Sequence, residues 1–185
     1  GDTYEELALA GLINAFDKSV YYGDDVFEAY AELELTLENQ TQEEVPEVEE
    51  ITFDVEGDTT YQYAEDEWAE FKITVDYWNT SATATRDLKI NMTVETDKYF
   101  NVTLWGNEVN STAVQIDTDI NGYNYTIDVI EDLNPGEGRI FTVRVKPESA
   151  FSYSTVGVSY KFDLVDANTD ELLESTGTQI LVVTQ

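Results

Sequence analysis

The chain has 185 residues, enough for one domain with an additional arm, and its 42% hydrophobic and 12% aromatic content is sufficient for a core. Thirty-nine Asp and Glu against nine Lys and Arg give a net charge of −30, which repels nucleic acids and anionic membranes and suits high salt or divalent cations. The absence of Cys and His excludes disulfides, thiolate metal sites and any catalysis that needs an imidazole. P-loop, G-x-S-x-G and H-E-x-x-H motifs are absent too, so we expect no enzyme activity.

Residues 1–20 form a predicted amino-terminal arm. Thr3 and Glu6 match a capping box, which favours a helix, although alternate residues of the same segment also fit one face of a strand. Residues 7–16 are apolar on nearly every side, so they require burial, either in their own domain or in a neighbouring copy. In the second case the residues of self-assembly are Leu7, Leu9, Leu12, Ile13 and Phe16.

Residues 21–50 link the arm to the rest of the chain. A turn at 21–25 precedes the alternating segment 29–38, which predicts a strand with an acidic outer face. The following segment 39–50, NQTQEEVPEVEE, has five Glu, one Pro and no periodicity. It is interpreted as an acidic hinge or as an acidic surface loop, because like charges extend such a segment.

Residues 51–185 are predicted to form the body. The stretch 68–80 alternates for ten residues, which predicts a strand with Ala69, Phe71, Ile73, Val75 and Tyr77 buried. Similar alternation predicts strands over 51–55, 87–95, 100–104, 139–146 and 155–164. The segment 179–183 is apolar on both sides and is expected to be a fully buried strand. With turn signals every 8–15 residues and no helical pattern after residue 20, the fold class is all-β, an Ig-like or jelly-roll β-sandwich.

The segment 113–130 is predicted to be a hairpin. Asn121-Gly122 is the preferred type I′ turn pair, and folding there pairs Ile120 with Tyr123 and puts the apolar residues on one face. The same segment also matches a calcium-loop pattern, which needs oxygen ligands at alternate positions and a glycine. Calcium is therefore a candidate ligand, although not a required one, at Asp117, Asp119, Asn121 and Asp128.

Six N-x-S/T sequons indicate an exported, N-glycosylated protein. The chain has 11 Asn, and Ser or Thr occupies 30 of its 185 positions, so chance would give roughly two sequons. Asn91 and Asn101 both fall on the solvent face of their predicted strands, as glycosylation requires. The predicted acceptors are Asn39, Asn79, Asn91, Asn101, Asn110 and Asn124.

Exposed aromatic residues suggest a binding surface. Trp68, Trp78 and Trp105, with the tyrosines, could stack on sugars, and Trp68 and Trp78 lie on the strand face opposite Phe71. The alternative is that one of them packs within the protein. Paired carboxylates could in principle hydrolyse glycosides, but among 39 Asp and Glu no pair stands out.

Three stretches carry a family resemblance: FKITVDYWNTSATATRDLKINMTV, EDLNPGEGRIFTVRVKP and VSYKFDLVDANTDELLES. With their asparagine-bearing turn and L-x-P-G-E turn, they resemble Ig-like surface domains of archaea and bacteria. More loosely, the chain is similar to TasA/camelysin-type biofilm filament subunits and archaeal bundling pilins. That resemblance implies a secreted β-sandwich whose amino-terminal segment completes the sheet of the next subunit.

Together these patterns predict a structural subunit of an extracellular filament, pilus, tube or surface layer. Its partner is expected to be a second copy of itself, assembled by donor-strand-like insertion of the arm. The alternative is a monomeric cell-surface adhesion or carbohydrate-binding module. No run approaches the roughly 20 apolar residues of a membrane span, so we expect no membrane-spanning segment.

Overall fold

The computed structural model describes residues 46–63 and 67–185. The chain divides into two units, Gly1–Pro46 and Glu47–Gln185, and the second is described below. The predicted arm, its five self-assembly residues, the predicted strand 29–38 and the sequon at Asn39 lie outside the described residues. Of the predicted hinge, residues 49 and 50 already belong to the first strand, so the predicted linker extends two residues too far.

Every regular element in the described residues is a strand. Among these residues, none belongs to a helix long and apolar enough to cross a membrane. The strands are β1 Glu49–Gly57, β2 Thr60–Gln62, β3 Ala69–Asn79, β4 Arg86–Glu95, β5 Phe100–Leu104, β6 Asn107–Glu108, β7 Ser111–Asp117, β8 Ile120–Leu133, β9 Gly138–Pro147, β10 Thr155–Asp166, β11 Leu172–Ser175 and β12 Gln179–Thr184.

The strands form two sheets. The first has the order β1-β3-β9-β5-β6, and the second has the order β2-β12-β10-β4-β8-β7, with β11 pairing β10. All pairs are antiparallel except β2 with β12. The order β1-β3-β9-β5 opposite β4-β10-β12 corresponds to the ABED and CFG sheets of a constant-type immunoglobulin domain, with the β7–β8 hairpin added beside β4. The predicted fold class is confirmed.

The core lies between the two sheets and follows from the alternation of the sequence. In β3 the five residues predicted to be buried are at most 2% exposed, and in β4 every second residue from Leu88 to Val94 is buried too. The ring of Phe71 in the first sheet lies 5.0 Å from that of Tyr160 and 5.4 Å from that of Phe162 in the second. Aromatic contacts of this kind hold the sheets together.

The β7–β8 hairpin is confirmed, but its predicted turn is wrong. Asp117 pairs with Ile120, so the two turn residues are Thr118 and Asp119, three positions before Asn121-Gly122. Gly122 lies inside β8 instead, where an added Cβ would be 2.4 Å from the Val94 carbonyl oxygen. The glycine is required there by the close approach of β4, not by a turn.

The last strand also differs from the prediction. In β12 Leu181 and Val183 are buried, but Ile180 is 58% exposed, so only one face meets the core. The strand lies between β10 and the three-residue β2, and the described residues place no layer over its outer face. The sequence analysis missed the short strands β2, β6 and β11.

Candidate functional site

An open groove lies on the outer face of the first sheet, the face turned away from the second sheet. It encloses about 680 Å³ and is walled by Trp68, Lys72, Trp105, Ile140 and Arg144, with Thr103, Gly106, Phe141 and Thr142 completing the lining. We call it the tryptophan groove. Its size is in the usual range for a ligand site. The groove brings together two of the three predicted tryptophans.

Trp105 reaches the groove from a strained turn. Leu104 pairs with Asn107, so Trp105 and Gly106 form a two-residue turn between β5 and β6. Their φ angles are 50° and 79°, the positive pair that a type I′ turn needs. A bulky residue at positive φ is unusual and costs on the order of 1 kcal/mol or more. Trp105 nevertheless remains 71% exposed, with one edge against Phe141 at 6.0 Å between ring centroids.

Cations are concentrated in and beside the groove. Arg144 Nε forms an ion pair with Glu70 Oε1 at 2.8 Å, and the side chain of Arg144 is 57% exposed. Lys146 Nζ lies 5.0 Å from the ring centroid of Trp68, a cation–π contact that orients both side chains. Lys72 and Arg144 line the groove, whereas none of its nine lining residues is acidic. Carboxylates stand directly beside both cations, since Glu70 pairs with Arg144 and Glu56 lies opposite Lys72 in the register of β1 with β3.

Trp78 belongs to the same sheet face but not to the groove. It is 48% exposed at the far end of β3, ten residues after Trp68, beside Glu50, Thr52 and Asp76. Ten residues of strand span about 33 Å. The three tryptophans therefore do not form one platform.

The four predicted calcium ligands are not brought together. Asp117 ends β7, Asp119 lies in the turn and Asn121 is the second residue of β8, whereas Asp128 pairs with Ile90 further along β8. Seven residues of extended strand separate Asn121 from Asp128 by about 23 Å. Among the described residues, no group of three or more carboxylates is placed to hold a metal ion. The segment 113–130 forms part of a hairpin, which was the competing interpretation of these residues.

Two predicted glycosylation sequons lie side by side on the outer face of the second sheet. In the pairing of β4 with β8, Asn91 is opposite Thr126 and Thr93 is opposite Asn124. Asn91 and Asn124 are half-buried, and Asn124 Oδ1 accepts a 3.4 Å hydrogen bond from Thr93. Glycosylation of these two residues, of half-buried Asn101 and of exposed Asn110 stays a prediction.

Asn79 does not present its amide to solvent. It is 4% exposed, and its Nδ2 donates to Glu47 Oε1 at 2.7 Å and to the Tyr77 hydroxyl at 3.2 Å. Its Oδ1 accepts the backbone N–H of Ser81 at 2.8 Å. A sugar on Nδ2 would remove one of these donors and would need space that the fold does not provide. The predicted acceptor at Asn79 is therefore incompatible with this folded arrangement.

A second candidate surface is the edge of the first sheet at β1. Within the described residues β1 pairs only with β3, over nine consecutive residues and without a register shift. Its inward residues Ile51, Phe53 and Val55 are only half-buried, whereas their partners in β3 are buried. Backbone groups that no described residue pairs, beside a partly open apolar row, form a candidate site for an added strand.

No protein-family model and no curated protein sequence matches the chain. One similar solved structure is AvmM, which catalyses macrocyclization in alchivemycin A biosynthesis: 12% identity, 73% of this chain, 89% of that chain, TM-score 0.49. Another is AggA, the major subunit of aggregative adherence fimbriae type I of Escherichia coli: 12% identity, 74% and 95% coverage, TM-score 0.37. A third is BcpA, the major pilin subunit of Bacillus cereus: 12% identity, 74% and 40% coverage, TM-score 0.33.

The tryptophans were predicted from the sequence as candidate binding residues, but the construction of the groove was not. The Trp105-Gly106 turn and the cations Lys72 and Arg144 were not predicted. The signal for the turn was the glycine between two short alternating segments. The cations gave no comparable signal, because their proximity depends on the register between β3 and β9.

Proposed function

We propose that this protein is a structural subunit of an extracellular filament, pilus, tube or surface layer. The observation that carries the proposal is the edge strand β1, with nine residues and a half-buried row of Ile51, Phe53 and Val55. An extended segment added there gains backbone hydrogen bonds and covers that apolar row.

The proposed donor is the apolar segment 7–16 of a neighbouring copy. Its alternate residues Leu7, Leu9 and Ile13 supply the side chains that such a row requires. Because the segment is apolar on nearly every side, it is poorly suited to exposure in a monomer. The predicted hinge ahead of β1 would give the arm the reach to enter another copy.

Substitution in the donor tests the proposal. We expect wild-type protein to form regular assemblies in negative-stain images and to sediment as large species. The variant Ile13→Asp places a charge in the proposed donor and should remain small. Ile116→Asp, at an exposed position of β7, is the matched control and should assemble like wild type. Circular dichroism verifies that both variants keep the strand content of wild type.

Two results would overturn the proposal. One is assembly of Ile13→Asp, or of a chain lacking residues 1–20, to the same extent as wild type. The other is a monodisperse wild-type monomer at every protein and salt concentration. A synthetic peptide of residues 4–17 provides a further check, since it should compete for the β1 edge and shorten the assemblies.

The second candidate function is a cell-surface adhesion or carbohydrate-binding module. The exposed indole of Trp105 in the tryptophan groove favours it, because this tryptophan stays 71% exposed on a strained turn although one edge contacts Phe141. A monomer that is retained by immobilised glycans would support this function over assembly. A protein that assembles and also binds glycans would combine both.

A further inference from the structure

We propose that the tryptophan groove binds a carboxylated polysaccharide, a glycan chain that contains uronic acid residues. The inference rests on the second candidate function and names its ligand class and the residues that recognise it. Indoles would stack on sugar rings, and Lys72 and Arg144 would bind the carboxylates.

The first observation is the placement of Trp105. A type I′ turn favours Asn-Gly, so tryptophan at the first turn position is a conformational cost without a gain in burial. Strained residues of this kind persist where they serve function. The carbon-bound hydrogens on one face of a pyranose carry partial positive charge and pack against the negative face of an indole. An exposed indole on a rigid turn therefore suits a sugar ring.

The second observation is the charge of the groove. Lys72 and Arg144 stand among its lining residues, whereas no carboxylate does. The ion pair of Arg144 with Glu70 is formed at Nε, and the two Nη atoms carry the further donors that can face a ligand. An arginine fork recognises a carboxylate by paired hydrogen bonds. A neutral glycan would not require two cations in one groove of a chain that has only nine Lys and Arg.

The third observation is that the groove lies on a sheet face and not at an edge. Its floor is formed by β3 and β9, whose backbone groups pair within the sheet. An extended peptide placed there would leave its own N–H and C=O groups without backbone partners. A glycan is recognised by side chains alone, and Thr103 and Thr142 in the lining offer hydroxyl groups for it. The geometry thus favours a glycan over an acidic segment of a second copy.

The fourth observation is the spacing of the tryptophans. Trp68 lies four residues before Lys72, which is about 13 Å along the direction of β3. Trp105 follows β5, which is two strand spacings, or about 10 Å, from β3 across the sheet. Lys146 fixes the ring of Trp68 from one side. Two indoles this far apart contact different sugars of one chain, so the ligand is an oligosaccharide or polymer and not a single sugar.

Retention on immobilised glycans tests the proposal. Polygalacturonate, alginate and hyaluronate are the carboxylated probes, and the fully methyl-esterified form of each is its matched neutral polymer. The experiment uses 0.15 M salt, where the long-range repulsion of the acidic surface is screened beyond about 8 Å. Chelator is present so that divalent cations cannot bridge two acidic polymers. We expect at least one carboxylated polymer to bind and its ester to bind about tenfold more weakly.

Two variants separate recognition from folding. Trp105→Asn removes the indole but supplies a residue that type I′ turns prefer, so thermal stability should be unchanged or higher while binding falls about tenfold. Arg144→Gln should weaken binding to the acid form and leave binding to the ester unchanged. Trp78→Ala and Arg139→Gln remove an exposed indole and an exposed cation outside the groove, and both should bind like wild type.

Each other outcome overturns the inference in a distinguishable way. Equal binding of acid and ester, lost in Trp105→Asn, would keep the carbohydrate-binding function but refute the carboxylated ligand. Failure of all polymers to bind would refute both the carbohydrate-binding function and the carboxylated ligand. A synthetic peptide of residues 41–50, TQEEVPEVEE, could instead displace the bound polymer. That result would identify the groove as a contact between copies.

Discussion

Tyr125 joins the two sheets through its hydroxyl group. The hydroxyl donates to the Phe100 carbonyl oxygen at 2.8 Å and accepts the Phe100 N–H at 3.2 Å, while its ring is fully buried. Burial raises the pKa of the Tyr125 hydroxyl, so it stays protonated as the donor. Tyr125 belongs to β8 and Phe100 to β5, so this pair of hydrogen bonds crosses the core.

We predict that Tyr125→Phe lowers the free energy of unfolding by about 1–3 kcal/mol, because it leaves buried backbone groups of Phe100 without a partner. Urea denaturation at neutral pH measures the change. Tyr153→Phe removes a hydroxyl from a side chain that is 73% exposed and should match wild type. Equal stability of the two variants would show that the cross-sheet bonds contribute nothing net.

Asp166 organises the turn after β10. Its Oδ1 accepts the N–H groups of Thr169 and Asn168, both at 2.8 Å, and its Oδ2 accepts from Arg86 Nη1 at 2.8 Å. The pKa of Asp166 is lowered most by the hydrogen bond from the backbone N–H of Thr169 and next by that from Asn168. Arg86 is among the smaller causes. Arg86 also pairs with Glu49 at 3.1 Å, so the cluster connects both sheets.

The lowered pKa of Asp166 determines the direction in which the stability of the fold changes with pH. A carboxylate whose pKa is lower in the folded state stabilises the fold above its unfolded value, near 3.8, and loses this contribution as pH falls through the folded value. We predict that Asp166→Asn is less stable than wild type at pH 7 and that the difference narrows below about pH 4. Asp54→Asn, at an exposed position of β1, controls for the loss of one charge. A difference that stays constant down to pH 2 would contradict this role.

At the residue scale, alternation predicted burial where a strand lies between two neighbours. It succeeded throughout β3 and β4 because their inward residues meet the opposite sheet. The same alternation continues to Asn79, which is 4% exposed, but its hydrogen bond to Glu47, 32 positions away, could not be found from the sequence. A sequon is a local pattern, whereas accessibility is a property of the fold.

At the scale of elements, Gly122 shows how a local turn signal can be overruled. An added Cβ would lie 2.4 Å from the Val94 carbonyl oxygen and 2.5 Å from Cδ1 of Ile116. The backbone contact cannot be relieved by rotating a side chain. The type I′ preference of Asn-Gly is a weak local term, and the packing of β8 against β4 outweighs it.

We therefore predict that Gly122→Ala destabilises the protein by about 1–3 kcal/mol through overpacking. Thermal or urea unfolding measures the loss. Gly157→Ala is the matched control within β10, because its added Cβ would meet only the Ile180 side chain, at 3.2 Å, which is exposed and can move. If Gly122 instead served a turn at positive φ, the alanine variant would change hairpin register and not the packing against Val94.

The elements that the sequence missed are those whose existence depends on pairing. The strand β2 has three residues and forms a parallel pair with β12, more than 110 residues later in the chain. The strand β12 was expected to be fully buried from its apolar composition, but in a sandwich of two sheets each strand is covered by the opposite sheet on one face only. Composition predicts which residues can be buried, and topology decides which of them are.

At the scale of the whole molecule, the dominant property is the net charge of −30. Self-repulsion destabilises a compact state and opposes contact between copies. Screening shortens the range of this repulsion from about 30 Å at 0.01 M salt to about 8 Å at 0.15 M. The proposed assembly and the fold itself should therefore both depend on ionic strength, whereas the apolar contacts of the core depend on it far less.

We predict that the free energy of unfolding rises with NaCl concentration from 0.01 to 0.5 M, with most of the gain below about 0.15 M, where the screening length falls fastest. Urea denaturation at each concentration measures it. CaCl₂ and MgCl₂ at matched ionic strength should stabilise the protein equally, because a diffuse acidic surface does not distinguish them. A larger effect of calcium that saturates with concentration would indicate a specific site. Loss of that extra effect in Asp117→Asn would place the site at the β7–β8 hairpin, and its retention would place it elsewhere in the chain.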